Sequence, residues 1–499
     1  MKSLFFSLGL VLLCTYGTFA FADNSTQNMI PSSIADKIVQ AGLDVRDVSI
    51  WVKPLGSDTP VISHLASTPR TPASTQKLVT TAIALDVLGE QYRWRTRLYV
   101  DGVVAGGVLY GNLIIKGSGD PSMTHERLGA MLAQLRERGI HHIRGDIIVD
   151  NSAFLGVSQD VNAFDGQGLR AYNAQPNAFL VNFGTLEVKM TPSGKWMPYS
   201  EATPTVDNAI FQPNGNAVAV SVLPKLADFT LPKSVDGITN SCGIRPKYAL
   251  SDDTLAITGQ VGIGCGQVSE WLTFANADEF IKKAVKGAWL SVDKDFTGLV
   301  KRQLPHDWSY HHKLPVLSFD SRPLSEQIYQ INQYSNNVMT EQVALSLPLA
   351  TGQATSDYPR SFAMINAWWH KRLSSPAPTM SRASGLCRDC AISVQALGEL
   401  LEFTHRQPTF EVFKASLPIV GQTGTMASFA KRHPDSPAIG RAFIKTGRLS
   451  NVAGIAGYVV GQSGQMYATV AIINADGAGN NTKAHALLDE VIEWTVAQP

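Results

Sequence analysis

Residues 92 to 300 differ in texture from what flanks them, and that change constrains the fold of this 499-residue chain most. Upstream, a short helix at 33–41 precedes "VSIWVKPL" and "PVISHL", which read as paired strands. Thr71 then suits an N-cap, Pro72 the first helical position and Gly89 the stop, with Leu78, Ile83, Leu85 and Leu88 between them. A mostly buried helix is predicted over 71–89. From residue 92 glycine turns separate strand-like runs such as "TRLYVDGVVAGGVLYGNLIIKGSGDP", with helices only at 124–138 and 276–288. Residues 178–240 alternate apolar and polar in short runs, the pattern of a small all-β unit. The chain turns helical again from "PLSEQIYQINQYSNNVMTEQVALSL" to about 405. It closes with two predicted antiparallel strands, "AFIKTGRLSNVAGIAGYVV" and "QMYATVAIINA", a turn at 461–464 between them, and an amphipathic helix at 482–497.

Apolar content of 44% with 17% charged residues is that of a folded chain, long enough for about two to four domains. Net charge is +1, which excludes a nucleic-acid or membrane-surface partner held by bulk electrostatics. Lys2 followed by an apolar run ending in Ala20-Phe21-Ala22 reads as a secretory signal cut after Ala22. Cys14 follows Leu13 where a lipoprotein signal wants a small residue, so export as a soluble protein is expected. No later segment has the ~18 to 20 apolar residues of a membrane span; a loose membrane association stays open. Cys242, Cys265, Cys387 and Cys390 remain, and an oxidising compartment favours two disulfides. Of three pairings, proximity favours 242–265 and 387–390, with a redox or zinc pair at Cys387-Arg-Asp-Cys390 as the alternative.

Three short motifs carry chemistry. Ser74 and Lys77 lie three apart, on one face of a helix start, so the amine reaches the hydroxyl. An N–H in the first helical turn has no intrahelical partner and suits an oxyanion hole. Lysine serves as a base when burial or a neighbouring cation lowers its pKa towards ~7 to 8. Ser335 and Asn337, at a helix break, can relay a proton and hold a substrate amide. Lys445, Thr446 and Gly447, on a strand, offer a charge, a hydroxyl for a carboxylate, and room for substrate backbone. Each motif alone is weak, because caps and surface lysines produce the same letters. His141-His142 and His311-His312 lack metal-ligand spacing, "GSGDPS" breaks the dinucleotide pattern, and Arg144-Gly-Asp146 reads as a strand start. No metal or cofactor is expected.

In order and context, S-x-x-K, S-x-N and K-T-G are the signature set of penicillin-recognising serine enzymes. The separation from Ser74 to Ser335 is 335 − 74 = 261 residues, so the strand-rich stretch is read as an insertion. The chain resembles the low-molecular-mass class C penicillin-binding proteins, D-alanyl-D-alanine carboxypeptidase/endopeptidases of the penicillin-binding protein 4 type. "GNLIIKGSGDP", "GDIIVDNSAF", "ASGLCRDCAIS", "LPIVGQTGT" and "KTGRLSNVAGIAGYV" carry the likeness over most of the chain.

The resemblance implies an α/β (α+β) transpeptidase/β-lactamase-like fold, an antiparallel sheet flanked by helices with a nested β-rich insertion. Its units would be a catalytic domain at 23–95 and 300–499, a second domain at 96–175 and 242–299, and a small third at 176–241. It implies Ser74 as nucleophile, Lys77 as base, Ser335 as proton relay and Asn337 as substrate guide. Lys445 and Thr446 would bind the terminal carboxylate beside Gly447, with the N–H groups of Ser74 and Arg448 as oxyanion hole. Asp150, Phe154 and Arg388 would form the subsite for a diaminopimelate side chain, and a Cys242–Cys265 disulfide fits the family's pattern. One departure is that Cys387 stands where the family's S-G-L-S-R loop has serine. The expected partners are peptidoglycan stem peptides and β-lactams in the periplasm. The rivals are a β-lactamase or related esterase, which gives no reason for the insertion, and a non-catalytic wall-binding protein on the same fold.

Overall fold

The computed structural model describes residues 30–198, 209–302 and 313–499. The predicted signal at 1–22, Cys14 and the His311-His312 pair lie outside the described residues.

A five-stranded antiparallel sheet organises both ends of the chain. Its order is Ala442–Leu449, Val452–Val460, Met466–Asn474, Val48–Pro54 and Ile62–His64. Val452–Val460 is buried on both faces, and its side chains divide with the two-residue period of a strand. Val452, Ala456 and Tyr458 join one core, which includes the helices Lys77–Leu88, Leu324–Tyr334 and Val394–His405. Ala453, Ile455 and Val459 join the other, under Ser32–Gln40 and Thr482–Val496. A sheet sandwiched between helices is the architecture the resemblance implied.

Three strands stand at the C-terminal end where the sequence suggested two, because the chain turns at Ser450-Asn451 between Ala442–Leu449 and Val452–Val460. The helix predicted over 71–89 also begins differently. Ala73 sits at φ 49°, so a single 3₁₀ turn, Ala73–Gln76, precedes the α-helix Lys77–Leu88. Thr71 makes no cap; its backbone N–H donates to Asn474 Oδ1 at 2.8 Å and its carbonyl accepts from Asn474 Nδ2 at 3.1 Å. That pair ties the turn to the central sheet.

The middle of the chain forms two further large sheets around one continuous core, with Lys247–Leu250 and Leu255–Thr258 as a two-stranded ribbon beside them. One holds Val300–Arg302, Ile147–Asp150, Val108–Lys116, Arg95–Ala105 and Leu317–Asp320, with His142–Ile143 pairing to Val108 and Leu109. The helices His125–Glu137 and Ala277–Leu290 bury Leu128, Leu132, Phe280 and Trp289 in the same core. The other sheet runs Gln260–Gly262, Ser234–Ile238, Ala209–Leu223, Thr185–Pro198 and Val268–Thr273. Strand pairing carries this sheet on to Val268–Thr273. Disulfides join Cys242 to Cys265 and Cys387 to Cys390. Among the described residues no helix is long and apolar enough to cross a membrane.

Candidate active site

The 3₁₀ turn sets Ser74 at the head of a helix whose first nine residues are buried. Two close approaches fix the turn. A Cβ at Gly385 would lie 1.9 Å from the Ala73 carbonyl oxygen, and one at Gly447 would lie 2.6 Å from that of Pro72. Glycine at position 447 thus makes room for the turn itself.

Lys77 is fully buried, and its Nζ meets three oxygens: Ser74 Oγ at 2.7 Å, Asn337 Oδ1 at 2.7 Å and the Ser384 carbonyl at 2.8 Å. Burial drives its pKa well below the ordinary lysine value; Lys445 pushes it the same way, and Glu341 opposes. Lys445, also fully buried, donates to Ser335 Oγ at 3.0 Å and to the Thr446 carbonyl at 2.8 Å. Its pKa is lowered to about 7 by desolvation. Two buried amines thus bracket the hydroxyls of Ser74 and Ser335.

The break between helices Leu324–Tyr334 and Asn337–Ala350 presents the second motif. Ser335 adopts the left-handed conformation, φ 58° and ψ 38°, and ends the first helix. Asn336 caps the next helix by accepting the Met339 N–H at 3.1 Å. Asn337, its first residue, donates from Nδ2 to the Tyr172 carbonyl at 3.0 Å, which leaves Oδ1 to Lys77. On the edge strand Ala442–Leu449, Thr446 Oγ1 donates to Thr425 Oγ1 at 2.9 Å and Arg448 reaches Asn480 Oδ1 at 2.5 Å.

Ser74, Ser335, Asn337, Arg388 and Arg448 line one cleft of about 720 Å³. Asp150 and Phe154 do not. Asp150, at the end of its strand, is buried and accepts the Ser152 N–H at 2.9 Å and hydroxyl at 2.6 Å. Phe154 packs against Val157, Ala178, Leu345 and Tyr358. Arg388, on the loop closed by the Cys387–Cys390 disulfide, lies 4.9 Å over the Phe164 ring, and both line the cleft with Asp165. Burial alone would raise the Asp165 pKa, yet Tyr172 Oη at 2.6 Å, the Gln167 N–H at 3.0 Å, Asn173 Nδ2 at 3.1 Å and the Arg388 charge hold it below the ordinary value.

Sequence reasoning missed Phe164, Asp165, Tyr172 and Glu341. The first three sit on a stretch without periodicity. Glu341 was findable, since it lies four residues after Asn337 on the same helix face. Cys387, Asp389 and Cys390 form the His/Cys/Asp/Glu cluster of ligating geometry among the described residues, but its two sulfurs are bonded to each other.

The sequence matches the D-Ala-D-Ala carboxypeptidase 3 (S13) family over residues 30–494. It is 26% identical over 421 residues to a D-alanyl-D-alanine carboxypeptidase of an Actinomadura species, covering 82% of this chain and 74% of that one. It is 23% identical over 495 residues to D-alanyl-D-alanine carboxypeptidase DacB of Haemophilus influenzae, covering 96% and 94%. In structure it is similar to penicillin-binding protein 4 from Haemophilus influenzae, with a TM-score of 0.70 at 19% identity, covering 93% of this chain and 100% of that one.

Proposed function

The chain belongs to the D-Ala-D-Ala carboxypeptidase 3 (S13) family, and on that premise we propose that Ser74 is the acylated nucleophile of a peptidoglycan D,D-peptidase. The protein is a serine-type D-Ala-D-Ala carboxypeptidase, a hydrolase that releases terminal D-Ala from stem peptides or cuts D-Ala–diaminopimelate cross-links. One observation carries the site: Lys77 Nζ stands 2.7 Å from both Ser74 Oγ and Asn337 Oδ1, buried beside a second amine.

In this reading neutral Lys77 takes the Ser74 hydroxyl proton as Oγ attacks the penultimate D-Ala carbonyl. The N–H groups of Ser74 and Arg448 hold the oxyanion, and a donor of that kind is worth roughly 3 to 4 kcal/mol. Ser335, hydrogen-bonded to Lys445, gives its proton to the departing amine and takes in its place the one Lys77 removed from Ser74, so the peptide C–N bond breaks as an ester forms on Ser74 and Lys77 is neutral again. Water then attacks the ester as Lys77 takes its proton; Lys77 returns that proton to the departing Ser74 Oγ, which regenerates the free enzyme. Asn337 orients the substrate amide, while Lys445 and Thr446 hold the terminal carboxylate of the leaving D-Ala. A diaminopimelate side chain, carrying both an ammonium and a carboxylate, fits Asp165 and Arg388 around Phe164. Burial of Asp150 and Phe154 argues against that role for them.

We assign the two sheets between residues 95 and 302, with Leu317–Asp320, to an insertion. It carries Phe164, Asp165 and Tyr172 to the mouth of the catalytic unit. Export to the periplasm and covalent capture of β-lactams belong to the same reading. Incubation with purified muropeptides tests it: mass spectrometry should record D-Ala release or cross-link loss by the parent protein and neither by Ser74→Ala. Products persisting in that variant would overturn the mechanism.

A further inference from the structure

We propose that Glu341 is a positioning residue for proton transfer at Ser74, acting on Lys77 through the Ala383–Ser384 backbone. The proposal deepens the serine-enzyme reading and rests on it.

Glu341 is 3% exposed, one turn along the helix from Asn337. Its Oε1 accepts the Ser384 N–H at 2.9 Å and its Oε2 the Ala383 N–H at 3.0 Å. The carbonyl of that same Ser384 accepts from Lys77 Nζ at 2.8 Å. Glu341 therefore holds the residue whose carbonyl touches the base, by that residue's own N–H and the one before it.

The geometry matters because a neutral amine has two N–H bonds and one lone pair. Amide and peptide oxygens only accept, so Asn337 Oδ1 and the Ser384 carbonyl each claim an N–H. The lone pair is left facing Ser74 Oγ at 2.7 Å, the direction from which a hydroxyl proton must come. With Asn337 as the only fixed acceptor, the amine could rotate about its Cε–Nζ bond and turn an N–H towards Ser74 instead. When the Ser74 O–H bond breaks, its proton becomes the third N–H, and the resulting ammonium has an oxygen for every proton.

Glu341 also brings charge to the site. Lys445 faces Lys77 and disfavours its protonated form, whereas Glu341 favours it. On the far side of Glu341 stands the Tyr358 hydroxyl. Tyr358 in turn accepts from Arg382 Nη1 at 2.6 Å, with that guanidinium 5.2 Å over its ring. Gln159 and Gln175 take the other arm of Arg382. These groups border a second compartment of about 270 Å³ beside the cleft, lined by Glu341, Ser384, Arg382 and Gln159.

Glu341→Gln tests both effects. Its amide keeps one acceptor, presents an NH₂ to the other N–H, and removes the charge. Acylation of the full chain by a fluorescent penicillin should slow about tenfold or more. The acid limb of its pH profile should move about one unit lower, because the anion that favoured protonated Lys77 is gone. Glu341→Asp keeps the charge but not the reach, so it should lose rate with the acid limb in place; thermal melts establish that each variant is folded. An unmoved acid limb in Glu341→Gln overturns the proposal and leaves the serine mechanism standing. If Glu341→Gln does not fold, parent-like rates in Glu341→Asp overturn it. Absence of acylation in the parent protein overturns both.

Discussion

At Lys77, burial and the neighbouring charge of Lys445 act in the same direction, and both populate the neutral amine that a serine nucleophile needs. Arginine does not deprotonate in proteins. Lys77→Arg should therefore lower penicillin acylation by about 10²- to 10⁴-fold while the protein stays folded, read as labelling rate against a thermal melt. Near-parent labelling would remove Lys77 from the base role. In the proposed role Lys445 works in its protonated form, and its value of about 7 places its loss of charge close to neutrality. Carboxylate binding should weaken as pH rises through that value, so kcat/KM for a D-Ala-D-Ala peptide should fall above about pH 7. The stability effect has the opposite sign. The unfolded chain, with an ordinary lysine, holds more protons between about 7 and about 10.5, so this residue's contribution to stability grows as pH rises through that window. A profile flat to pH 9 would contradict the assignment. At this scale the sequence was legible wherever residues sit at fixed spacings on regular elements. Asp165 is held by a loop's own hydrogen bonds and offered no such spacing.

Ser74 is presented by elements that touch without side chains between them. The edge strand Ala442–Leu449 passes the Ala73–Gln76 turn so closely that only glycine fits at 447. In Gly447→Ala the new methyl meets backbone, which moves only with the strand or the turn. Overpacking of this kind costs about 1 to 3 kcal/mol, and here it also displaces Ser74. Both the melting temperature and the acylation rate should fall; a variant that melts lower yet acylates at the parent rate would show that the approach is structural only. Helix positions were largely readable from the sequence because caps and apolar spacing mark them, as at Ala277–Leu290. The extra strand was not, because its turn is only the two residues Ser450-Asn451, and Val452–Val460, buried on both faces, shows no polar alternation to mark it as a separate strand. Nor was the left-handed start at Ala73, which follows from contacts with Gly385 and Gly447 far along the chain.

Over the whole molecule, the distance from Ser74 to Ser335 gives the proposed insertion its place, and that stretch brings Phe164, Asp165 and Tyr172 to the cleft. The Cys242–Cys265 disulfide lies among its strands, away from the residues that line that cleft. Replacing both cysteines by serine should cost roughly 3 kcal/mol in the chain-entropy description. It should lower the melting temperature and leave the penicillin acylation rate unchanged; loss of acylation at a temperature where the variant is folded would tie the insertion's integrity to the chemistry. The overall architecture was legible because three motifs in order specify one arrangement of helix, loop and strand. Where the insertion's sheets begin and end was not, because strand partners such as Thr185–Pro198 and Val268–Thr273 are distant in sequence. The central claim is that this arrangement makes Ser74 an acylated nucleophile. Its most direct test is intact-protein and peptide mass spectrometry after brief exposure to benzylpenicillin. One adduct on the peptide containing Ser74, absent from Ser74→Ala, is the predicted result; an unmodified parent protein, or an adduct that survives in Ser74→Ala, would contradict it.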